Sequence, residues 1–216
     1  MKLKIKKLIS ITIVSMSIVI SGIITVNATN QDDPPSASEV FNKEKVKELV
    51  EIANDMLIEM DKGINTRASY GSYPTRKGVI LVTPDPYKGV NIGHAGIIYI
   101  PSQVVEANAT GVEIGNNNWD KSKDQAYGVT VTSVTNAQDI DAANWCYNRR
   151  GLPYNPNFYR MDYRDKFYCS HLIRSAYLDL YGIDLNTGDF DVAGAKAIHP
   201  MELVNGPKTS LVYRKK

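Results

Sequence analysis

The chain has 216 residues, 43% hydrophobic and 22% charged, which suits one globular core of ordinary size. Its formal charge is +2, and no stripe of Lys and Arg interleaved with aromatics runs along it, which excludes a basic nucleic-acid binder. It has no Cys-x-x-Cys, no His-x-x-x-His pair and no Gly-x-Ser-x-Gly elbow, so a metalloenzyme or a serine hydrolase is not expected.

Lys2, Lys4, Lys6 and Lys7 precede an apolar stretch from Leu8 to Val26, and Val26-Asn27-Ala28 supplies small residues at a cleavage site. Residues 1–28 therefore read as a secretory signal peptide, giving a bacterial protein that is secreted or held at the cell surface. The apolar run is also near spanning length, so an uncleaved membrane anchor is the alternative. No Cys stands at the junction to take a lipid. Loss of the leader removes four lysines and no acid, taking the formal charge from +2 to −2. The terminal Arg214-Lys215-Lys216 reads as a solvated tail.

Residues 29–37 form a polar tether containing Asp32-Asp33-Pro34-Pro35. Ser36 and Glu39 have capping-box spacing. Val46, Leu49, Val50, Ala53, Met56, Leu57 and Met60 then recur at helical spacing, and Gly63 ends the run. This N-terminal amphipathic helix opens a single catalytic domain, residues 38–216, and packs against the rest of it. Ile64 to Lys77 is a loop whose Tyr70 and Tyr73 are candidates either for lining a substrate cleft or for the plain surface.

Gly78 to Thr83 is a β-branched strand, and Pro84 to Gly89 is a turn segment leading to a second strand headed by His94. Val104-Val105-Glu106-Ala107 follows, then strands at Val112-Glu113-Ile114 and Tyr127 to Val134. Asn136 can cap a helix reaching about Arg150, and the Gly151 to Pro156 segment breaks it. A further helix opens at Cys169, runs to Tyr181 and stops at Gly182. Leu211-Val212-Tyr213 closes the chain as a strand, with no internal repeat and no second domain.

Cys169 is the residue best placed for chemistry. Backbone N–H groups at a helix start lower a thiol's pKa and can hold an oxyanion. A strand-end histidine, His94, and a glutamate interrupting the next apolar strand, Glu106, complete the nucleophile, base and orienter of a cysteine hydrolase. Taken singly, each has a plainer reading: a small buried hydrophobe, a hydrogen-bonded histidine, a solvent-facing acid. A bridge from Cys169 to Cys146 would abolish the thiolate, but Cys146 beside Trp145 reads as a mid-helix packing residue, so two free thiols are expected. His171 lies about 200° round the helix from Cys169 and cannot face the same site. His199, before Pro200, has no partner motif.

Gly78-Val79-Ile80-Leu81-Val82-Thr83, Gly93-His94-Ala95-Gly96-Ile97, Val105-Glu106-Ala107 and Tyr168-Cys169-Ser170 resemble the circularly permuted branch of the NlpC/P60 cysteine hydrolases, closest to the YiiX/YebB-like and YycO-like groups. The resemblance spans roughly Gly78 to Val212. In ordinary NlpC/P60 enzymes the Cys-bearing helix precedes the His-bearing strands, whereas here Cys169 comes last. The resemblance implies Cys169 as nucleophile, His94 as base and Glu106 as third polar residue, with His171 a departure from the common pattern. It implies an α+β papain-like fold: an antiparallel sheet or partial barrel with the Cys-bearing helix packed against it. A hairpin turning on Pro101-Ser102-Gln103 sets Glu106 opposite Ile98, on the face shared by His94 but far along the strand. Twist, a bulge or a wider loop has to close that gap.

The leading functional expectation is an exported amidase or peptidase acting on cell-wall peptides, with no cofactor and no metal. Tyr168, beside the nucleophile, is a candidate for a substrate or oxyanion contact or for core packing. The alternatives are a lipid acyl hydrolase or acyltransferase on the same fold, and a non-catalytic binding module. A membrane enters only through an uncleaved leader, and the oligomeric state is open.

Overall fold

The computed structural model describes residues 33–62, 71–86, 90 and 92–216. The leader with its Ala28 junction, residues 29–32 of the tether, Gly63 and Tyr70 lie outside the described residues. Six strands run in chain order: β1 (Ile80–Thr83), β2 (His94–Ile100), β3 (Gln103–Asn108), β4 (Gly111–Asn116), β5 (Ala126–Val131) and β6 (Thr209–Lys215). They form one antiparallel sheet ordered β4-β3-β2-β1-β5-β6, open, with β4 and β6 at its edges. The α+β class is as the sequence implies; the sheet does not close into a barrel.

Both faces of the sheet are covered, which is why β1 reads as an unbroken apolar run. Ile80, Val82, Ala95, Ile97, Val105 and Val129 belong to the main core. Two helices, α4 (Asn136–Tyr147) and α5 (Cys169–Tyr181), pack on this face, against each other and against β2 and β3. Val79, Leu81, Ile98, Val104 and Val212 form a smaller cluster on the other face with Trp119, the first residue of the one-turn α3 (Trp119–Ser122).

The N-terminal helix is shorter than its periodicity suggests, and it is split. The Ser36–Glu39 capping box starts only a single turn, α1 (Ala37–Val40), with the Glu39 carboxylate 2.7 Å from the Ser36 N–H. Phe41 breaks the turn, and Asn42 caps the main helix α2 (Lys43–Asp55) by accepting the Lys45 N–H at 2.9 Å. Val46, Leu49 and Ala53 are buried, but Leu57 and Met60 are 85% and 50% exposed. Past Asp55 the helix stops: Met56 and Ile58 still pack on the core, but Leu57 and Met60 at helical spacing turn to solvent. Arg214 Nη1 donates to the Ala53 and Met56 carbonyls at 3.1 and 2.8 Å, satisfying the helix end. Arg214 is therefore a cap within β6 and not part of a solvated tail; Lys215 likewise donates to the Lys123 carbonyl.

Thr135, not Asn136, caps α4, exchanging hydrogen bonds with Gln138 at 2.8 and 3.3 Å. α5 spans the residues its sequence predicts, and Gly182 ends it with φ of 68°, a left-handed conformation that glycine adopts without strain. A single turn, α6 (Glu202–Asn205), precedes β6.

Candidate functional site

The site assembles where the head of α5 meets the start of β2. Gly93, at φ +57°, turns the chain into β2 so tightly that a Cβ would stand 2.7 Å from the Thr83 carbonyl oxygen. His94 follows, paired across the sheet with Thr83. Its Nε2 lies 2.8 Å from Glu106 Oε2. The Cys169 thiol lines the same cleft, close enough for ring and thiol to shift each other's ionisation. With Nε2 engaged by Glu106, Nδ1 is the nitrogen left to take the thiol proton.

The expected register of the β2–β3 hairpin needs correction. Ile100 pairs with Gln103 across a two-residue turn, Pro101-Ser102, and one extra residue, Tyr99, bulges from β2. Glu106 consequently pairs with Gly96 and not with Ile98. It keeps the face of His94 and sits two residues from it across the sheet, which closes the gap left by the simple hairpin.

Charge is distributed accordingly. Burial disfavours imidazolium at His94, but the hydrogen bonds from Cys169 and Glu106 outweigh it and lift the ring to about 9. Burial works against a thiolate at Cys169, yet the His94 contact and charge, with backbone N–H groups of Ala95 and Ser170, bring the thiol below its usual value. Burial opposes ionisation of Glu106 too, and His94, Asn108 and Lys123 more than offset it, holding the carboxyl below its usual value. All three shifts favour the charged forms, and Cys169 is only 6% exposed.

Several supporting residues escape a motif reading. Asn108 Nδ2 donates to Glu106 Oε1 at 3.1 Å and to Glu113 Oε1 at 2.7 Å. Its position two residues after Glu106 on one strand is the signal that could have revealed it. Gly115 makes room for the carboxylate: a Cβ there would lie 2.1 Å from Glu106 Oε1. That requirement crosses strands and leaves no local trace. Trp119 stacks on His94 with centroids 5.6 Å apart and planes at 27°. Tyr154 lines the cleft that holds Cys169, and burial first, then the thiolate's charge, keep its hydroxyl protonated.

The remaining expected residues divide. Tyr168 is no substrate contact: it is buried, its hydroxyl donating to the Phe158 carbonyl at 3.1 Å and accepting the Ile198 N–H at 3.2 Å. Tyr73 packs against the smaller cluster, on the face of the sheet that His94 shares. Its hydroxyl donates to Asn117 Oδ1 at 2.6 Å and accepts the Trp119 N–H at 2.9 Å, fixing the indole that stacks on His94. His171 is buried against the Met161 carbonyl, 3.0 Å from Nε2, away from the thiol as helix geometry predicts. Cys146 is buried and, like Cys169, free. His199 is buried beside Phe41 and Phe190.

A cleft of about 740 Å³ opens over Cys169, His94 and Glu106. One part of its lining is apolar, from Pro34, Pro35, Ala37, Pro86, Ile92 and Phe158. Another is polar, from Asn108, Thr110, Glu113 and Lys123. Pro34 to Ala37, expected within the tether, are thus a wall of the site. Their anchor is Phe41, whose ring meets Phe158, Phe190 and His199 edge-on at 5.0, 5.3 and 5.1 Å. Among the described residues no three His, Cys, Asp or Glu side chains converge as a metal site.

No family model and no curated relative matches the chain. Among solved structures, the chain is similar to the crystal structure of metalloprotein yiiX from Escherichia coli O157:H7. The TM-score is 0.51 at 15% identity, over 65% of this chain and 98% of that one. At that identity the likeness is one of fold.

Proposed function

We propose that this chain is a cysteine hydrolase that cleaves an amide or peptide bond through an acyl-enzyme, with cell-wall peptides as its substrate class. The observation that carries the proposal is Cys169, His94 and Glu106 lining one cleft, with His94 and Glu106 hydrogen-bonded and the thiol heading α5. Thiolate attack on the carbonyl carbon forms a tetrahedral oxyanion, which the Cys169 backbone N–H at the helix head can hold. Collapse expels the amine as imidazolium at His94 gives it a proton. The ring, again neutral, takes a proton from water, whose oxygen attacks the thioester; the acid leaves and Cys169 is restored. Glu106 fixes the ring and favours its charged form, and Tyr154 supplies a second protonated donor to the cleft.

The chain order, base first and nucleophile last, together with the yiiX-like fold, supports a relation to the permuted NlpC/P60 enzymes of the YiiX/YebB-like group. The proline, isoleucine and phenylalanine lining favours a second reading, in which the acyl group comes from a lipid. Incubating purified protein with muropeptides and with acyl-lipids, followed by mass spectrometry, tests the two together. Cys169→Ala should abolish turnover while folding normally, and Cys146→Ser should retain most of it. Full turnover without Cys169 would refute the mechanism. A Cys169 no more reactive than a free thiol, with no turnover of either class, would leave a binding module.

A further inference from the structure

The parity of the β2–β3 hairpin decides which face of the sheet Glu106 occupies. Ile100 pairs with Gln103. Continued without interruption, that pairing would set Glu106 against Ile97, and directly opposed residues share a face. Ile97 belongs to the main core, so the carboxylate would enter an apolar layer, on the opposite face from His94. Glu106 pairs with Gly96 because β2 carries the one extra residue, Tyr99.

That residue is held from outside the hairpin. The Tyr99 ring stacks face to face on Tyr147, the last residue of α4, with centroids 3.8 Å apart and planes at 6°. The Lys77 ammonium sits over Tyr99 at 3.9 Å, and the Arg150 guanidinium over Tyr147 at 3.2 Å. Lys77, in the segment before β1, also donates to Asn144 Oδ1 on α4 at 2.6 Å, which fixes the ammonium above the Tyr99 ring. Cation, ring, ring and cation form four layers: the two cation–ring contacts attract, and they flank a pair of nearly eclipsed rings that bury each other's faces.

We propose that the Lys77–Tyr99–Tyr147–Arg150 stack is a positioning device for the catalytic site, pinning the extra residue of β2 to the end of α4 and so keeping Glu106 in register with His94. Tyr99 and Tyr147 are positioning residues, since neither lines the cleft. The inference rests on the cysteine-hydrolase reading, so its test must separate the two.

The experiment is the rate of Cys169 alkylation by iodoacetamide across pH, followed by peptide mass mapping, with thermal unfolding measured alongside. Wild-type protein should show a window between thiolate formation and imidazolium deprotonation. Glu106→Gln should narrow it by on the order of one pH unit, tenfold in rate at the edge. Tyr147→Ala should narrow it in the same sense, changing the rate at the alkaline edge roughly threefold. It should add nothing in the Glu106→Gln background, and Tyr147→Phe should behave as wild type. Tyr147→Leu keeps apolar cover without a ring face and carries the same expectation should the alanine variant not fold. A Tyr147→Ala protein that melts earlier but keeps the wild-type window would overturn the proposal, as would an equal narrowing with and without Glu106. Identical wild-type and Glu106→Gln profiles would overturn this proposal alone, whereas a Cys169 no more reactive than a free thiol at any pH would overturn the hydrolase reading.

Discussion

Glu106 is held by geometry that a single atom can disturb. In Gly115→Ala the new methyl would occupy the place of Oε1, so the carboxylate must swing off the imidazole. This variant should therefore resemble Glu106→Gln, losing about tenfold or more in turnover while retaining its fold. Circular dichroism with steady-state rates for both variants checks it, and a fully active Gly115→Ala protein would show that the carboxylate is dispensable. His171 makes a different expectation. Burial first, and then Arg164 and Arg174, hold its pKa down to about 3, so the folded protein keeps the ring neutral. The unfolded chain binds a proton below about 6.5 that the folded one does not, so stability falls as pH drops from there towards 3. The slope from this group is about 1.4 kcal/mol per pH unit. Urea unfolding of wild type and His171→Gln at pH 6.5 and 5.5 should show a smaller loss in the variant. Turnover should follow another order, with His94→Ala worst, Glu106→Gln intermediate and His171→Ala mild.

At the scale of elements, the strap from Pro34 to Phe41 runs along the cleft to its aromatic anchor. Removing residues up to Ala37 while keeping Val40 and Phe41 leaves the aromatic anchor in place and takes away one wall. The expected result is a higher KM with kcat and the pH window of Cys169 alkylation unchanged, because no group touching the reacting atoms is lost. Phe41→Ala should instead destabilise the whole protein, by about 3–5 kcal/mol as for other buried phenylalanines. A truncated protein with an unchanged KM for the substrate found by mass spectrometry would show that the strap is a bystander. The same scale shows where the sequence is legible. α5 is readable from end to end because a helix start, an apolar face and Gly182 are all local signals. α2 is over-read, because Leu57 and Met60 keep helical spacing where no core remains to receive them. The hairpin is read with the right face and the wrong partner, because a bulge is a tertiary event: Tyr99 is displaced to meet Tyr147, a residue on another element.

For the whole molecule, the nucleophile, base and orienter are visible in the sequence because their chemistry restricts the residue types, while their supports are not. Gly115, Asn108 and Trp119 come from β4, β3 and α3, and only the fold brings them to Glu106 and His94. The Pro34 wall is misread as linker for the same reason: two prolines signal stiffness and cannot signal what they lie against. Export is a proposal at this scale. The mature chain should begin near Thr29, which N-terminal sequencing of secreted protein would read directly, whereas a membrane-retained chain starting at Met1 would make the segment an anchor. Such a start would leave the Pro34 wall intact.

The docking of Phe41 also orders events in time. Its partners Phe158, Phe190 and His199 all lie far downstream, and Cys169 itself is made long after His94. A chain emerging in order from a ribosome or a translocation channel carries its base and orienter early, without a nucleophile to activate. When Cys169 appears, the wall that completes its cleft still waits for Phe190 and His199. Contacts so distant in sequence close slowly, since the intervening chain must be ordered before they are rewarded. On the cysteine-hydrolase reading, the thiol therefore gains its reactivity only when nearly all of the polypeptide has been made and folded.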